Sequence, residues 1–111
     1  MNENGFENWL VMVDKRDMRQ TSDNISRAKR VENAISDYLK REVRLEGEYI
    51  KDKCASILEM LSYEYSRSIP ASINLPKDKN GLSSLRTAIN KYIKFLGMND
   101  SNNYDRFKET K

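Results

Sequence analysis

The 111-residue sequence contains no histidine and a single cysteine, Cys54. These two residue types carry out much of the acid–base, nucleophilic and metal-binding chemistry of proteins. One cysteine cannot form an intramolecular disulfide, so nothing in the sequence requires an oxidising compartment. We therefore expect a protein that is not an enzyme and that uses no cofactor and no metal.

Glycine, proline and long apolar runs are also scarce. The four glycines are isolated from one another, so the chain has no glycine-rich phosphate loop. No segment approaches the roughly 18 consecutive apolar residues of a membrane span. The first ten residues are polar and acidic where a signal peptide would be basic and then apolar. These absences predict a cytoplasmic protein with no membrane partner.

The composition fits one small helical domain. Apolar residues make up 38% of the chain and charged residues 33%, which is typical of a helical bundle with a large solvated surface. A chain of this length buries roughly 65% of its extended surface on folding, enough for one modest core. We expect a four-helix bundle over residues 1–97, followed by a polar tail or short docking helix over residues 98–111.

Apolar residues recur at helical spacing in the first two segments of the chain. Asn4 is the predicted N-cap of a short first helix, and the polar stretch 14–20 predicts a loop. The second and longest helix is expected to begin at Thr21 or Ser22 and to reach about Arg44. The apolar stripes of the two helices are Phe6, Trp9, Leu10 and Val13, then Ile25, Ala28, Val31, Ile35, Tyr38 and Leu39.

The second half of the chain predicts two more helices. A third helix is expected over residues 48–66. Its apolar face begins with Tyr49 or Ile50 and continues with Cys54, Ile57, Leu58, Leu61 and Tyr65. Two prolines bracket a loop over 68–81, which Ile69, Ile73 and Leu75 should anchor to the core. The last helix is expected over 82–96, with Leu82, Leu85, Ile89, Tyr92 and Leu96 buried and Gly97 as its C-cap.

The positive charge is concentrated in the first half of the chain. The whole chain has a formal charge of +3, but residues 15–44 contain nine basic and five acidic residues. If the second helix continues to Arg44, four arginines line one ridge of it, which we call the arginine ridge: Arg27, Arg30, Arg41 and Arg44. Such a ridge could follow several phosphates of a DNA duplex. The same pattern is also compatible with the solvated side of an amphipathic helix.

The last helix carries a second polar surface. Its side chains can donate to phosphates or to base edges, and they are those of Ser83, Thr87, Asn90, Lys91 and Lys94. A surface helix must also present polar residues to water whatever its function. By contrast, Cys54 shares an apolar stripe and is predicted to be a core residue without reactivity.

Two segments resemble a known family. The run 82–96, LSSLRTAINKYIKFL, resembles the last helix of the SAM-like core-binding domain of tyrosine recombinases, the phage-integrase family. The segment Phe6-Glu7-Asn8-Trp9-Leu10 is similar to the beginning of that domain. The resemblance implies a four-helix bundle that clamps one side of a DNA duplex. The catalytic domain of that family, with its histidine-containing active site, has no counterpart here.

These observations leave two hypotheses about function. The first is a DNA-binding module that contacts double-stranded DNA through the arginine ridge, with Thr87, Asn90, Lys91 and Lys94 nearby. The second is a protein-interaction module, such as a phage or mobile-element regulator that docks on a larger protein through exposed Tyr63, Tyr65 and the tail aromatics. A purely structural subunit is a further possibility, and it would form a stable homodimer that buries the arginine ridge.

Overall fold

A computed structural model of the chain describes residues 1–62, 73–76 and 78–109, with side chains described as far as Met98. All regular structure in this part of the chain is helical, which confirms the predicted all-α bundle. The described helices are α1 (Glu3–Met12), α2 (Met18–Leu39), α3 (Leu45–Asp52), α4 (Ala55–Met60) and α5 (Lys79–Glu109). None of them has the length and hydrophobicity that crossing a bilayer requires.

The centre of the bundle is the packing of α2 against α5, with α1 in contact with both. An aromatic cluster joins α1 to α5, because the ring of Phe6 meets Tyr92 edge-on at a centroid distance of 4.9 Å. Gly5 permits this close approach, since a Cβ at this position would lie 2.8 Å from Cζ of Phe95. The largest fully buried side chains are Phe6, Leu10, Val31, Leu45, Cys54, Leu61, Leu82, Ile89 and Tyr92.

Both of the first two helices begin earlier than the sequence predicted. Asn2, not Asn4, caps α1, because its side-chain oxygen accepts a hydrogen bond from the Gly5 N–H at 3.0 Å. Asp17 caps α2 in a reciprocal capping box with Gln20, and this box makes residues 18–20 helical instead of loop. Val13 lies beyond the end of α1 and is 49% exposed, so its predicted place in the core is wrong.

The second helix ends at Leu39, and the prediction that it reaches Arg44 is therefore wrong. Lys40 adopts a left-handed conformation with φ of 55°, which stops the helix. The chain then folds back, because the Ser36 hydroxyl accepts from the Val43 N–H and donates to the Val43 carbonyl. Tyr38 and Leu39, predicted to be core residues, are more than 40% exposed at this end.

The predicted third helix is divided into α3 and α4. Lys53 and Cys54 both have left-handed backbone conformations, with φ of 56° and 62°, and separate the two helices. Cys54 is fully buried as predicted, and its Sγ lies 3.6 Å from the Leu45 carbonyl oxygen. Of the two expected first residues of the apolar face, Tyr49 packs against the core and Ile50 is 85% exposed. Tyr63 and Tyr65 lie outside the described residues.

The last helix is longer than predicted at both ends. It begins at Lys79, where the Asp78 carboxylate accepts from the Gly81 N–H at 2.8 Å. Gly97 has a negative φ and does not end the helix, which continues to Glu109. Ile73 and Leu75 are buried, which confirms them as anchors of the preceding loop. Ile69, the third expected anchor, lies outside the described residues.

Candidate nucleic-acid interface

Two of the four predicted arginines project from the middle of α2. Arg27 and Arg30 are both exposed, and within the described residues neither makes an ion pair or a hydrogen bond. They line a groove of about 390 Å³ between α2 and the first turns of α5. We call it the Arg27–Arg30 groove, and its lining residues are Ser26, Arg27, Arg30, Pro76, Gly81, Ser84 and Leu85.

The start of α5 is fixed next to this groove by local packing. A Cβ at Gly81 would lie 2.7 Å from Cβ of Pro76 and 2.9 Å from Oδ1 of Asp78. Glycine therefore lets the loop pack directly on the first turn of the helix. The N-terminus of α5 contributes a partial positive charge to the groove, and the Asp78 carboxylate offsets part of it.

The other two arginines do not continue this face, so the four-residue arginine ridge is not formed. Arg41 and Arg44 lie in the turn after α2. Ala34, which follows Arg30 by one helical turn, is buried. Arg44 is paired with Glu42 at 2.8 Å. Both arginines line a separate depression of about 430 Å³, together with Glu42, Val43, Gly47, Glu48 and Lys51.

The predicted polar face of α5 is only partly available for a ligand. Thr87, Asn90 and Lys94 are exposed, and the Thr87 hydroxyl donates to the carbonyl of Ser83 at 2.9 Å. Lys91 is half-buried and is paired with Asp14, at 2.6 Å between Nζ and Oδ2. Its charge is therefore satisfied within the molecule.

The two predicted surfaces do not share a groove. Ser84 and Leu85 are the α5 residues that line the Arg27–Arg30 groove, whereas Thr87, Asn90 and Lys94 do not line it. Sequence reasoning missed the two hydroxyl residues of this groove, Ser26 and Ser84. No pattern in the sequence could have found them, because they meet only when α2 packs against α5.

Several carboxylates that lie close together along the chain have structural roles. Asp14 pairs with Arg16 and Lys91, and Asp17 caps α2. Glu46 accepts a hydrogen bond from the Tyr92 hydroxyl. Among the residues that the structure describes, no group of three or more cysteine, aspartate or glutamate side chains could hold a metal ion.

The buried thiol of Cys54 and the buried hydroxyl of Tyr92 are held in their neutral forms. Burial, with smaller contributions from Asp52, Glu48 and Glu46, raises the pKa of the Cys54 thiol to about 12. Burial and its hydrogen bond to Glu46 also raise the pKa of Tyr92 well above its usual range. A thiol that stays protonated at neutral pH is a poor nucleophile, so Cys54 has a packing role.

An apolar groove of about 230 Å³ lies on another side of the bundle, between α2 and α4. The apolar residues lining it are Ile35, Tyr38, Leu39, Ile57, Met60 and Ile73, with Arg41, Glu48, Lys51 and Ser56 among the polar ones. Tyr38 is the aromatic residue of this groove and is 43% exposed. A groove of this kind suits an apolar side chain of another protein more than a phosphate.

Comparison of the chain with protein-family models, with curated proteins and with solved structures finds no match.

Proposed function

We propose that this chain is a non-catalytic module that binds double-stranded DNA mainly through contacts to phosphates, centred on the Arg27–Arg30 groove. The observation that carries the proposal is the pair of exposed guanidinium groups without a partner in the described residues. Arg27 and Arg30 are three residues apart on α2, so their Cβ atoms lie about 5–6 Å from each other. They can therefore hold one phosphate together or two neighbouring phosphates.

The surroundings of these arginines support the same ligand. The hydroxyls of Ser26 and Ser84 line the groove and can donate to phosphate oxygens. A guanidinium group donates two parallel hydrogen bonds to one phosphate, which an ammonium group cannot do. The resemblance of residues 82–96 to the core-binding domain of tyrosine recombinases supports DNA as the polyanion.

The other candidate residues contribute unequally in this proposal. Arg41 and Lys94 are exposed and make no ion pair within the described residues, so they can add further phosphate contacts. Of the predicted site residues on α5, Asn90 and Thr87 are exposed and could read base edges. Arg44 and Lys91 contribute less, because each must first give up a carboxylate partner.

The test is a fluorescence-anisotropy titration of a labelled mixed-sequence duplex at several salt concentrations. Binding that depends on phosphate contacts weakens as the salt concentration rises. The logarithm of the association constant falls against the logarithm of the salt concentration with a slope of about −0.9 per neutralised phosphate. The double variant Arg27→Ala with Arg30→Ala should bind every duplex more weakly, with a shallower salt slope. Circular dichroism should show the same helix content, because both side chains are exposed.

A matched control removes two positive charges elsewhere. Arg19→Ala with Lys53→Ala changes two exposed basic residues that line neither the Arg27–Arg30 groove nor the depression that contains Arg41. This variant should lose much less affinity than the double arginine variant. Equal affinity of the arginine variant and the unmodified protein would refute the proposal.

The second candidate function is docking on a larger protein, as a phage or mobile-element regulator would do. The apolar groove between α2 and α4, with Tyr38 at its surface, favours it. This function predicts no saturable binding of the duplex even at low salt. The same titration therefore distinguishes the two functions.

A further inference from the structure

The start of α5 contains an asparagine followed by a glycine, the pair of residues in which spontaneous deamidation is fastest. In this reaction the backbone nitrogen of the glycine attacks Cγ of the asparagine side chain. Glycine permits the attack because it has no Cβ to obstruct it. Asn80 is exposed, and its side chain makes no hydrogen bond within the described residues. No contact within these residues therefore holds the Asn80 amide away from the nitrogen of Gly81.

The Gly81 N–H, which must lose its proton in this attack, donates to a carboxylate. Its acceptor is Oδ2 of Asp78, at a distance of 2.8 Å. A carboxylate at hydrogen-bonding distance from a reacting N–H can take the proton as a general base. The exposed ammonium group of Lys79 and the positive end of α5 favour the negative charge that develops during the attack.

A second asparagine–glycine pair provides a comparison within the same chain. Asn4 and Gly5 are the second and third residues of α1. Asn80 and Gly81 hold the same two positions in α5. The Gly5 N–H also donates to the side chain that precedes the helix, but its acceptor is the amide oxygen of Asn2, at 3.0 Å. A neutral amide is too weak a base to take this proton, so the two pairs differ in the group that would start the reaction.

The first turn of α5 is also easier to open than that of α1. The ring cannot close while the asparagine keeps a helical backbone, so the first turn must open locally. In α5 this opening breaks the hydrogen bond from the Leu82 N–H to the Asp78 carbonyl, at 3.0 Å, and the packing on the preceding loop. In α1 it also disturbs a link to another helix, the hydrogen bond from the Asn2 N–H to the Tyr92 hydroxyl at 2.7 Å.

We propose that Asn80 deamidates spontaneously, with Asp78 as the base, and that the product weakens phosphate binding in the Arg27–Arg30 groove. The bond from the Gly81 nitrogen to Cγ forms as the proton passes to Asp78. The bond from Cγ to Nδ2 then breaks, and the proton returns to the departing nitrogen, which leaves as ammonia. Water opens the succinimide at Cγ to give aspartate, or at the main-chain carbonyl carbon to give isoaspartate. Each product has a carboxylate in place of the amide.

The product places a negative charge beside the proposed DNA-binding groove. Gly81 lines this groove together with Arg27 and Arg30, and residue 80 directly precedes it. A carboxylate here attracts the guanidinium groups and repels a phosphate. Isoaspartate in addition lengthens the backbone before Gly81 and so disrupts the first turn of α5. The effect on DNA rests on the proposed function, whereas the deamidation itself does not.

The test is peptide mapping of the full chain by mass spectrometry, on samples taken during incubation at neutral pH. Asn80 should convert to aspartate and isoaspartate, and Asn4 should remain an amide for much longer. Asp78→Asn replaces the carboxylate acceptor by an amide and should slow the conversion of Asn80 by about tenfold or more. The converse change, Asn2→Asp, should speed the conversion of Asn4. Circular dichroism confirms that each variant is folded.

Two results of the mapping would overturn the proposal. One is conversion of Asn80 and Asn4 at equal rates. The other is an Asp78→Asn protein that deamidates as fast as the unmodified protein or faster, because Asp78 would then act only as a helix cap.

Fluorescence anisotropy with a labelled duplex tests the consequence for the groove. The affinity of the unmodified protein should fall in step with the conversion of Asn80. The control Asn80→Gln should keep its affinity, because the longer side chain closes its ring far more slowly. Equal affinity before and after conversion would refute the effect on the groove. Fresh protein that binds no duplex would refute the proposed function, while the conversion rates would still decide whether Asp78 is the base.

Discussion

The ammonium group of Lys91 lies 2.6 Å from Oδ2 of Asp14 and so ties α5 to the turn after α1. Arg16 shares the same carboxylate, at 3.2 Å from its Nε. Lys91 and Lys94 are three residues apart on one helix, yet the charge of Lys91 is paired within the molecule and that of Lys94 is exposed. Position on a helix face therefore does not by itself identify a ligand-binding lysine.

We expect the two lysines to respond differently to substitution. Lys91→Met should lower the free energy of unfolding by about 1 kcal/mol, because the pair is only partly exposed, and should change DNA affinity little. Lys94→Met should weaken DNA binding without loss of stability. Urea unfolding and anisotropy on both variants measure these effects. The prediction fails if Lys91→Met reduces affinity as much as Lys94→Met does.

Gly5 should be intolerant of a methyl group. In Gly5→Ala the new Cβ would lie 2.8 Å from Cζ of Phe95 and 2.6 Å from Nδ2 of Asn2. We expect a loss of about 1–3 kcal/mol of stability from this overpacking. Gly47→Ala is the matched control, because nothing lies within 4 Å of its new Cβ and alanine favours the helix α3. Urea unfolding should show a lower free energy of unfolding for Gly5→Ala and a higher one for Gly47→Ala.

The residue that ends α2 should accept glycine with a gain in stability. Lys40 has φ of 55°, a conformation that costs a residue with a Cβ about 1–2 kcal/mol. Lys40→Gly removes this cost and should raise the free energy of unfolding by about 0.5–1 kcal/mol after the added chain entropy is counted. Ser22→Gly, at an exposed position inside α2, should lower it. A destabilised Lys40→Gly protein would show that α2 continues beyond Leu39.

Stability should fall in alkaline solution because two buried groups must stay protonated. The pKa of Cys54 is raised from 9.0 to about 12, and that of Tyr92 is also raised. The contribution of Cys54 is complete below pH 9 and is lost as the pH rises towards 12, because the unfolded chain releases this proton first. The contribution of Tyr92 falls in the same way above pH 10. Each group lowers the free energy of unfolding by up to about 1.4 kcal/mol per pH unit in this window.

Substitution of the cysteine isolates its share of this effect. Cys54→Ala should be less stable than the unmodified protein at pH 7, because it leaves a small cavity in the core. Between pH 9 and 11 the Cys54→Ala protein should lose less stability than the unmodified protein does. Urea unfolding at a series of pH values measures both. Parallel losses in the two proteins would contradict the assignment.

The residues of the core could be read from the sequence to a large extent. Phe6 and Leu10 on α1, and Leu85, Ile89 and Tyr92 on α5, are buried as their spacing predicted. The reason is that helical periodicity is a local property, and a stripe of this kind must be covered by some neighbour. Cys54 was placed in the core by the same argument.

The tertiary structure decided where the helices end and which charges remain available. Left-handed residues at Lys40, Lys53 and Cys54 end or divide helices that their side chains could have continued. The break at Lys40 prevents the arginine ridge from forming. The charge of Lys91 is paired with Asp14, which lies in a turn distant in sequence. Spacing along a chain determines the direction of a side chain only while the helix continues, whereas its partners depend on which segments fold together.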